Sequence, residues 1–410
     1  MRVAAVDGLF SWPPHGGADV DLYHTVQGLQ QLGHEVHLFG AKIEPARERS
    51  GFDPYRLPFP ATRLSVPERA VNRWDLPAAF RDAVKAWRPE VVFLGFGYFL
   101  KPYVAEALSD YPMVSRYYAY ELVCPRDFLL FKDGAPCPMN YLYTPDVCRP
   151  CALAGMRREI QSWRFLSWTR EYMRALAFLP GYHARAIRTL RQFKAIVVYN
   201  QMQKRQLEPL NPNVFVVPGG VDIENYPHRP APVSGAHARK VILMTGRAED
   251  PIKGLQTLRE AGERLARQRR DFEIRATHPD ASENTDWLKG IGWHSPSSLK
   301  ELYAAADICV APSLWEEPFG LVAVEAMASG RPVCASRVGG LQDIVVHGET
   351  GFLFDRGDSS TLADSLARLL DDAGLRKRMG EAGRKRAERE YDWRRIAAVH
   401  YPLLLEACLR

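Results

Sequence analysis

Two carboxylates eight positions apart, Glu317 and Glu325, lie in the stretch of this chain best suited to chemistry. Glu317 falls in a short loop after the apolar run at 307–311. Glu325 falls in Leu321-Val-Ala-Val-Glu-Ala-Met-Ala328, where every other side chain is apolar. A carboxylate on so hydrophobic a helix needs hydrogen-bond partners, because desolvating an unpaired charge is costly. The helix is expected to start near Gly320, just past Pro318. The backbone N–H groups of Gly320, Leu321 and Val322 then lack intrahelical acceptors and sit at the positive end of the helix dipole, which suits a phosphate. One carboxylate in the loop, one in the helix and an anion cradle between them fit a phosphorylated polyol. The alternative is a buried Glu–Arg pair that only ties the domain together.

Two cations form a second constellation. Thr245-Gly246-Arg247 ends one apolar run, and Lys253-Gly254 opens the helix that follows. Both therefore flank the carboxyl end of a strand, where open α/β sheets bind ligands. Beside a helix N-terminus they suit a diphosphate, arginine gripping as a fork and lysine acting as a point charge. Surface charge is the alternative for either one taken singly. A third feature, Gly16-Gly17, lets backbone N–H groups approach an anion closely at the start of the first helix. It is not the G-x-G-x-x-G fingerprint, and the chain has no P-loop sequence.

The elements that must position these groups alternate between strand and helix. In the first half, strands are expected at 2–6, 35–39, 90–94, 113–118, 195–199 and 214–217, with helices at 18–32, 101–108 and 201–207. After a Pro- and Ala-rich linker at 227–235, strands are expected at 241–244, 272–276 and 308–311 and helices at 254–269, 297–305 and 320–329. A length of 410 residues fits two cores better than one. The expected fold is α/β, with two doubly wound, Rossmann-like domains at 1–220 and 221–390 facing a cleft.

A stretch at 121–194 interrupts the alternation. Cys124, Cys137, Cys148 and Cys151 fall among Pro, Gly, Asp and Asn and end in a C-x-x-C. They could hold a structural zinc through four thiolates, or be four reduced, partly buried thiols. Residues 152–195 carry nine Arg and Lys against two Glu, more excess charge than the +6 of the whole chain. Phe165, Trp168, Tyr172, Leu176 and Leu179 recur there at helical spacing. Such a helix fits an anionic membrane surface or an anionic acceptor, or packs its aromatic face inward with the arginines solvated. No nucleic-acid-binding module accompanies the patch, so nucleic acid is not an expected partner.

At 46% hydrophobic and 25% charged residues, the composition is that of a globular domain. No apolar run approaches the roughly 20 residues that span a bilayer. The N-terminus runs straight into a strand pattern, which predicts a cytoplasmic protein with reduced cysteines, peripheral to the membrane if the basic helix docks there.

Taken together, these residues resemble the retaining, nucleotide-sugar-dependent glycosyltransferases of family 4, which have the GT-B fold. The resemblance rests on Gly246-Arg247…Lys253-Gly254, Ala306-Asp307…Pro312-Ser313 and above all Glu317-Pro-Phe-Gly-Leu-Val-Ala-Val-Glu325. It continues through Gly330-Arg-Pro-Val, Gly339-Gly340, Glu349-x-Gly351-Phe-Leu and Tyr391-x-Trp393. It implies transfer of a hexose, without a metal, to a hydroxyl acceptor, carbohydrate or lipid-linked, in glycan, glycolipid or surface-polysaccharide synthesis. The donor would be a UDP- or GDP-sugar. Arg247 and Lys253 would hold the diphosphate, Glu325 the ribose, and Glu317 with the backbone of Phe319, Gly320, Leu321 and Val322 the sugar. Gly17 would close on the phosphate, and the last helix, 391–410, would cross back to the first domain.

Two positions depart from the family pattern. Where relatives with a similar cysteine loop carry a histidine, Tyr117-Tyr118-Ala119-Tyr120-Glu121-Leu122-Val123-Cys124-Pro125 places Tyr118. A tyrosine can hydrogen-bond a hydroxyl but is no base near neutral pH. Glu121 is a candidate to compensate. The usual Asn of the Pro-Asn-Gly-Val-Asp turn is Gly219. A catalytically degenerate protein that binds a nucleotide sugar or a partner is the alternative function.

Overall fold

The computed structural model describes all residues except 45–50, 96–97, 127–128, 162–171, 173, 228–238, 279–283 and 410. It divides into two compact units. The first comprises Met1–Leu130, Cys137–Pro218 and Ile396–Arg410, the second Phe131–Pro136 and Gly219–Arg395.

Seven parallel strands build the first unit: β1 (Arg2–Asp7), β2 (Glu35–Glu44), β3 (Ala61–Pro67), β4 (Val91–Leu94), β5 (Met113–Arg116), β8 (Ala195–Val198) and β9 (Val214–Val216). Their order is β3-β2-β1-β4-β5-β8-β9. β6 (Phe131–Lys132) and β7 (Ala135–Pro136) make a separate antiparallel hairpin. The order reverses between β1 and β4, which makes that pair the switch point at which a ligand site can form. β4 and β8 are four-residue runs of Val, Ile, Leu, Phe and Ala, buried throughout, as strands covered on both faces must be. β3 was not anticipated. Its burial alternates only weakly and it lies at the sheet edge, so it has no apolar run to read. Helix Gly17–Gln31 packs against β2, and the residues after Ile396 pack on that helix. A side chain at Gly28 would strike Ala397 and Tyr401, and the Tyr401 hydroxyl lies 2.9 Å from Thr25 Oγ1.

The second unit repeats the plan with β10 (Lys240–Met244), β11 (Phe272–Ala276), β12 (Leu288–Gly290), β13 (Ile308–Ala311), β14 (Val333–Ser336) and β15 (Gly351–Phe354). All are parallel in the order β12-β11-β10-β13-β14-β15, with the switch point between β10 and β13. Ile242, Met244, Ile274, Ile308, Val310 and Phe352 from the strands pack with Leu258, Leu362 and Leu366 from the flanking helices. Both units are thus doubly wound.

Candidate functional site in the second unit

The loops leaving β10 and β13 are pinned to each other by backbone contacts. Gly254 has φ +81°, and a Cβ there would lie 1.9 Å from the carbonyl oxygen of Pro312, so only glycine fits. Leu314 N donates to Ile252 O at 2.7 Å. On the other side Gly340 N donates to Glu317 O at 2.7 Å, and a side chain on Gly339 would overlap that same carbonyl. The turn holding Lys253 and the loop holding Glu317 are therefore fixed in one frame.

Within that frame Lys253 Nζ donates to both carboxylate oxygens of Glu317, at 3.0 and 2.9 Å. Oε2 also accepts from Ser313 Oγ at 3.0 Å and from Trp315 Nε1 at 2.9 Å. The ammonium sits 5.3 Å from the centre of the Trp315 ring. The neighbouring Glu316 pairs with Arg356 and takes a hydrogen bond from Gly339 N. Arg247 is exposed just past β10. Gly246, before it, adopts φ +97°, and its carbonyl accepts from Thr277 Oγ1.

Glu325 is answered differently. Its Oε1 accepts from the Tyr226 hydroxyl at 2.9 Å and its Oε2 from the Tyr303 hydroxyl at 2.8 Å. Burial raises its pKa, and the two phenols partly offset that. The partners are tyrosines, not the arginine that a purely structural ion pair would have supplied. Each carboxylate oxygen retains a lone pair for a further donor such as a ribose hydroxyl. Helix Leu321–Ala328 starts after Gly320 at φ +111°, and Leu321, Val322 and Glu325 make its half-exposed face. Phe319 is buried beneath, its carbonyl close under Gly340. Glu317, Glu325, Lys253, Gly246, Arg247, Phe319, Gly320, Leu321 and Val322 thus all belong to the carboxyl end of this one sheet. Tyr226, Tyr303, Ser313 and Trp315 are the site residues that the sequence reading missed.

The remaining sequence candidates lie in the first unit. Gly16 is extended at φ −172°, a conformation open to any residue, and a Cβ on Gly16 or Gly17 would meet nothing within 4 Å. Space there, and not backbone strain, is what these glycines provide. Asp19 folds back to accept from Ser11 N at 3.0 Å and His15 N at 2.9 Å, fixing the loop ahead of the helix. Tyr118 is half-buried, its enclosed hydroxyl has no hydrogen-bond partner among the described residues, and burial raises its pKa well above the ordinary phenol value. Glu121, the candidate to compensate for the histidine, is tied to the backbone of this turn. Its oxygens accept from Tyr118 N at 3.1 Å and Ala119 N at 3.0 Å, which caps the turn.

Among the described residues no group of three or more His, Cys, Asp or Glu is placed to hold a metal ion. Cys148 is buried, lies 3.7 Å from Thr144 Oγ1 and has a raised pKa, chiefly from burial and further from Cys137 and Cys151 nearby. Phe165 and Trp168, with 162–171 and 173, lie outside the described residues. The described part of 152–195 is not one helix but belongs to helix Pro145–Gln161, a short turn of helix at Leu176–Phe178 and helix Tyr182–Gln192. No helix among the described residues is long and apolar enough to cross a membrane.

The family model described as Glycosyltransferase Family 4 matches residues 15–225, just over half the chain, and the model described as Glycosyl transferases group 1 matches 232–386. The chain belongs to glycosyltransferase family 4. Among curated relatives, it is 30% identical over 211 residues to a phosphatidyl-myo-inositol mannosyltransferase of Mycobacterium leprae, covering 50% of this chain and 56% of that one. It is 40% identical over 176 residues to a D-inositol 3-phosphate glycosyltransferase of Corynebacterium glutamicum, covering 39% and 41%. The chain thus spans about half the length of these relatives. Among solved structures, Anabaena HepE in complex with UDP superposes with a TM-score of 0.68 at 17% identity, covering 99% of this chain and 100% of that one. Sucrose-phosphate synthase from Thermosynechococcus elongatus gives 0.65 at 20%, covering 99% and 98%. Identities this low speak for the fold alone, and this family 4 glycosyltransferase has the GT-B fold.

Proposed function

We propose that this glycosyltransferase moves a hexose from a nucleoside diphosphate sugar to a hydroxyl of a carbohydrate or lipid-linked acceptor, with retention at the anomeric carbon. The observation that carries the reading is the Lys253–Glu317 pair, set beside Arg247 at the switch point of the second sheet. A nucleoside diphosphate leaves as an anion. Lys253, Arg247 and the N–H groups of Leu321 and Val322 are groups already in place that would stabilise its charge without a metal. Glu317 would orient the sugar and Glu325 the ribose. As the bond from the anomeric carbon to the diphosphate breaks, the acceptor oxygen bonds to the same face and its proton passes to the departing diphosphate oxygen. The likeness to two inositol glycosyltransferases supports a polyol acceptor, and UDP in the HepE complex supports a nucleotide donor.

Glu317→Gln and Lys253→Ala are expected to lower transfer from a panel of UDP-, GDP- and ADP-sugars by at least about a hundredfold with the thermal midpoint kept, as for loss of one preorganised donor. Full activity in either variant overturns the assignment. The enclosed Tyr118 hydroxyl, without a partner among the described residues, in place of the family's histidine favours a second reading, a protein that binds the nucleotide sugar without turning it over. Tight binding with neither transfer nor hydrolysis across the panel would select it. A zinc staple on the four cysteines is part of the proposal but not of the chemistry, and elemental analysis of chelator-free protein that finds no zinc overturns it.

A further inference from the structure

The donors on Glu317 are unevenly shared. Oε2 takes three, from Lys253, Ser313 and Trp315, whereas Oε1 takes Lys253 alone. Ser313 and Trp315 are buried, at 4% and 7% exposure, while Lys253 and Glu317 keep 21% and 15% of their side chains exposed. The two neutral donors are thus built into the wall, and the ion pair stands at its surface.

We propose that Ser313 and Trp315 are positioning residues. They hold Oε2 of Glu317, so that Lys253 can change partner from this carboxylate to a ligand diphosphate while Oε1 meets a hydroxyl of the transferred sugar. The need for them follows from the partner exchange. If Lys253 were the sole partner, its departure would strand a half-buried carboxylate, and the binding energy of the diphosphate would be spent on that desolvation. With the indole N–H and the serine hydroxyl still in place, Glu317 stays anchored and aimed. Oε2 is saturated, so the sugar is directed to Oε1. The ring of Trp315 lies against the ammonium, which keeps the lysine near the carboxylate until an anion arrives. The inference rests on the proposed donor site and asks one thing more of it, that sugar and diphosphate be recognised by separable groups.

Calorimetric titration of UDP against UDP-glucose, GDP against GDP-mannose and ADP against ADP-glucose tests it in wild type, Trp315→Phe, Ser313→Ala and the double variant. Phenylalanine keeps the ring and removes only the donor. For the pairs that bind, the free diphosphate should keep its Kd within about twofold, while the nucleotide sugar weakens by about tenfold in Trp315→Phe, the scale of one charge-assisted hydrogen bond. Glu317→Gln should abolish the extra affinity due to the sugar, and adding Trp315→Phe to it should change nothing further. Equal weakening of diphosphate and nucleotide sugar, or no weakening of either, overturns the inference while leaving the donor site standing. If no diphosphate binds the wild type, the proposed function falls and this inference with it.

Discussion

The two sheets place charged groups at the carboxyl ends of their strands in opposite ways. In the second unit the charges are half-exposed and their partners can be exchanged: Lys253 on Glu317, Arg247 in solvent, Glu325 on two phenols. In the first unit they are sealed. Arg116 donates from Nε and Nη2 to Asp21 at 3.1 and 2.8 Å and from Nη1 to Val217 O at 2.9 Å, with both side chains 3% exposed. Asp21 holds the guanidinium firmly charged against the cost of burial. Lys101 is fully buried, donates to Arg116 O at 2.7 Å and lies 3.7 Å from the Tyr117 ring centre. Its pKa is lowered to about 8 by burial. Asp7, at the end of β1, is raised to about 7, again chiefly by burial. Charge in the first unit is scaffold; charge in the second is left within reach of solvent. The same residue types serve both ends because solvent access decides whether a partner can be replaced.

That contrast can be broken by removing one partner on each side. Asp21→Asn should cost about 3–5 kcal/mol in denaturant unfolding, because a buried guanidinium loses its counter-charge. Lys253→Ala, whose partner keeps two other donors and some solvent, should cost under about 1 kcal/mol while removing activity. Similar stability losses in both would erase the distinction.

Asp7 sharpens it through pH. Its pKa is higher in the folded chain than the ordinary 3.8, so folding disfavours the ionised form. The penalty is absent below about pH 4, grows as pH rises through that value and is complete above about 7. Asp7→Asn should therefore be more stable than wild type at pH 8 by a few kcal/mol, with the gain shrinking toward pH 4. A pH-independent difference would show that the carboxyl titrates normally. The smallest effect belongs to Tyr226→Phe, which leaves Glu325 with one phenol. It should weaken nucleoside diphosphate binding about threefold to tenfold, read by calorimetry, with little change in thermal midpoint.

What could be read from the chain was set by sequence distance. Lys253, Glu317, Glu325 and the glycines around them lie in short strand-to-helix connections, where local pattern fixes their placement. The Rossmann-like alternation came from apolar runs such as 91–94 and 195–198. Tyr226 was out of reach because it meets Glu325 from 99 positions away, beyond any periodicity. Asp7 looked like an ordinary strand end, and only the sheet order places it beside the switch point. Trp315 was missed because the direction of its N–H depends on the backbone pinned beneath it. The part of Glu121 in capping its turn was not legible, because a turn cap and a site carboxylate look alike in a string of letters.

The ion pair between Lys253 and Glu317 has one more consequence, for selectivity. An unliganded anion cradle in a cell faces abundant orthophosphate. Here any arriving anion must first compete with a carboxylate held by geometry for the same lysine. A single small phosphate contacts too few groups to win that exchange often. On the proposed reading, a ligand that also brought a ribose to Glu325 and a sugar to Glu317 would recover the lost pairing elsewhere, so the site's own residues would set its selectivity.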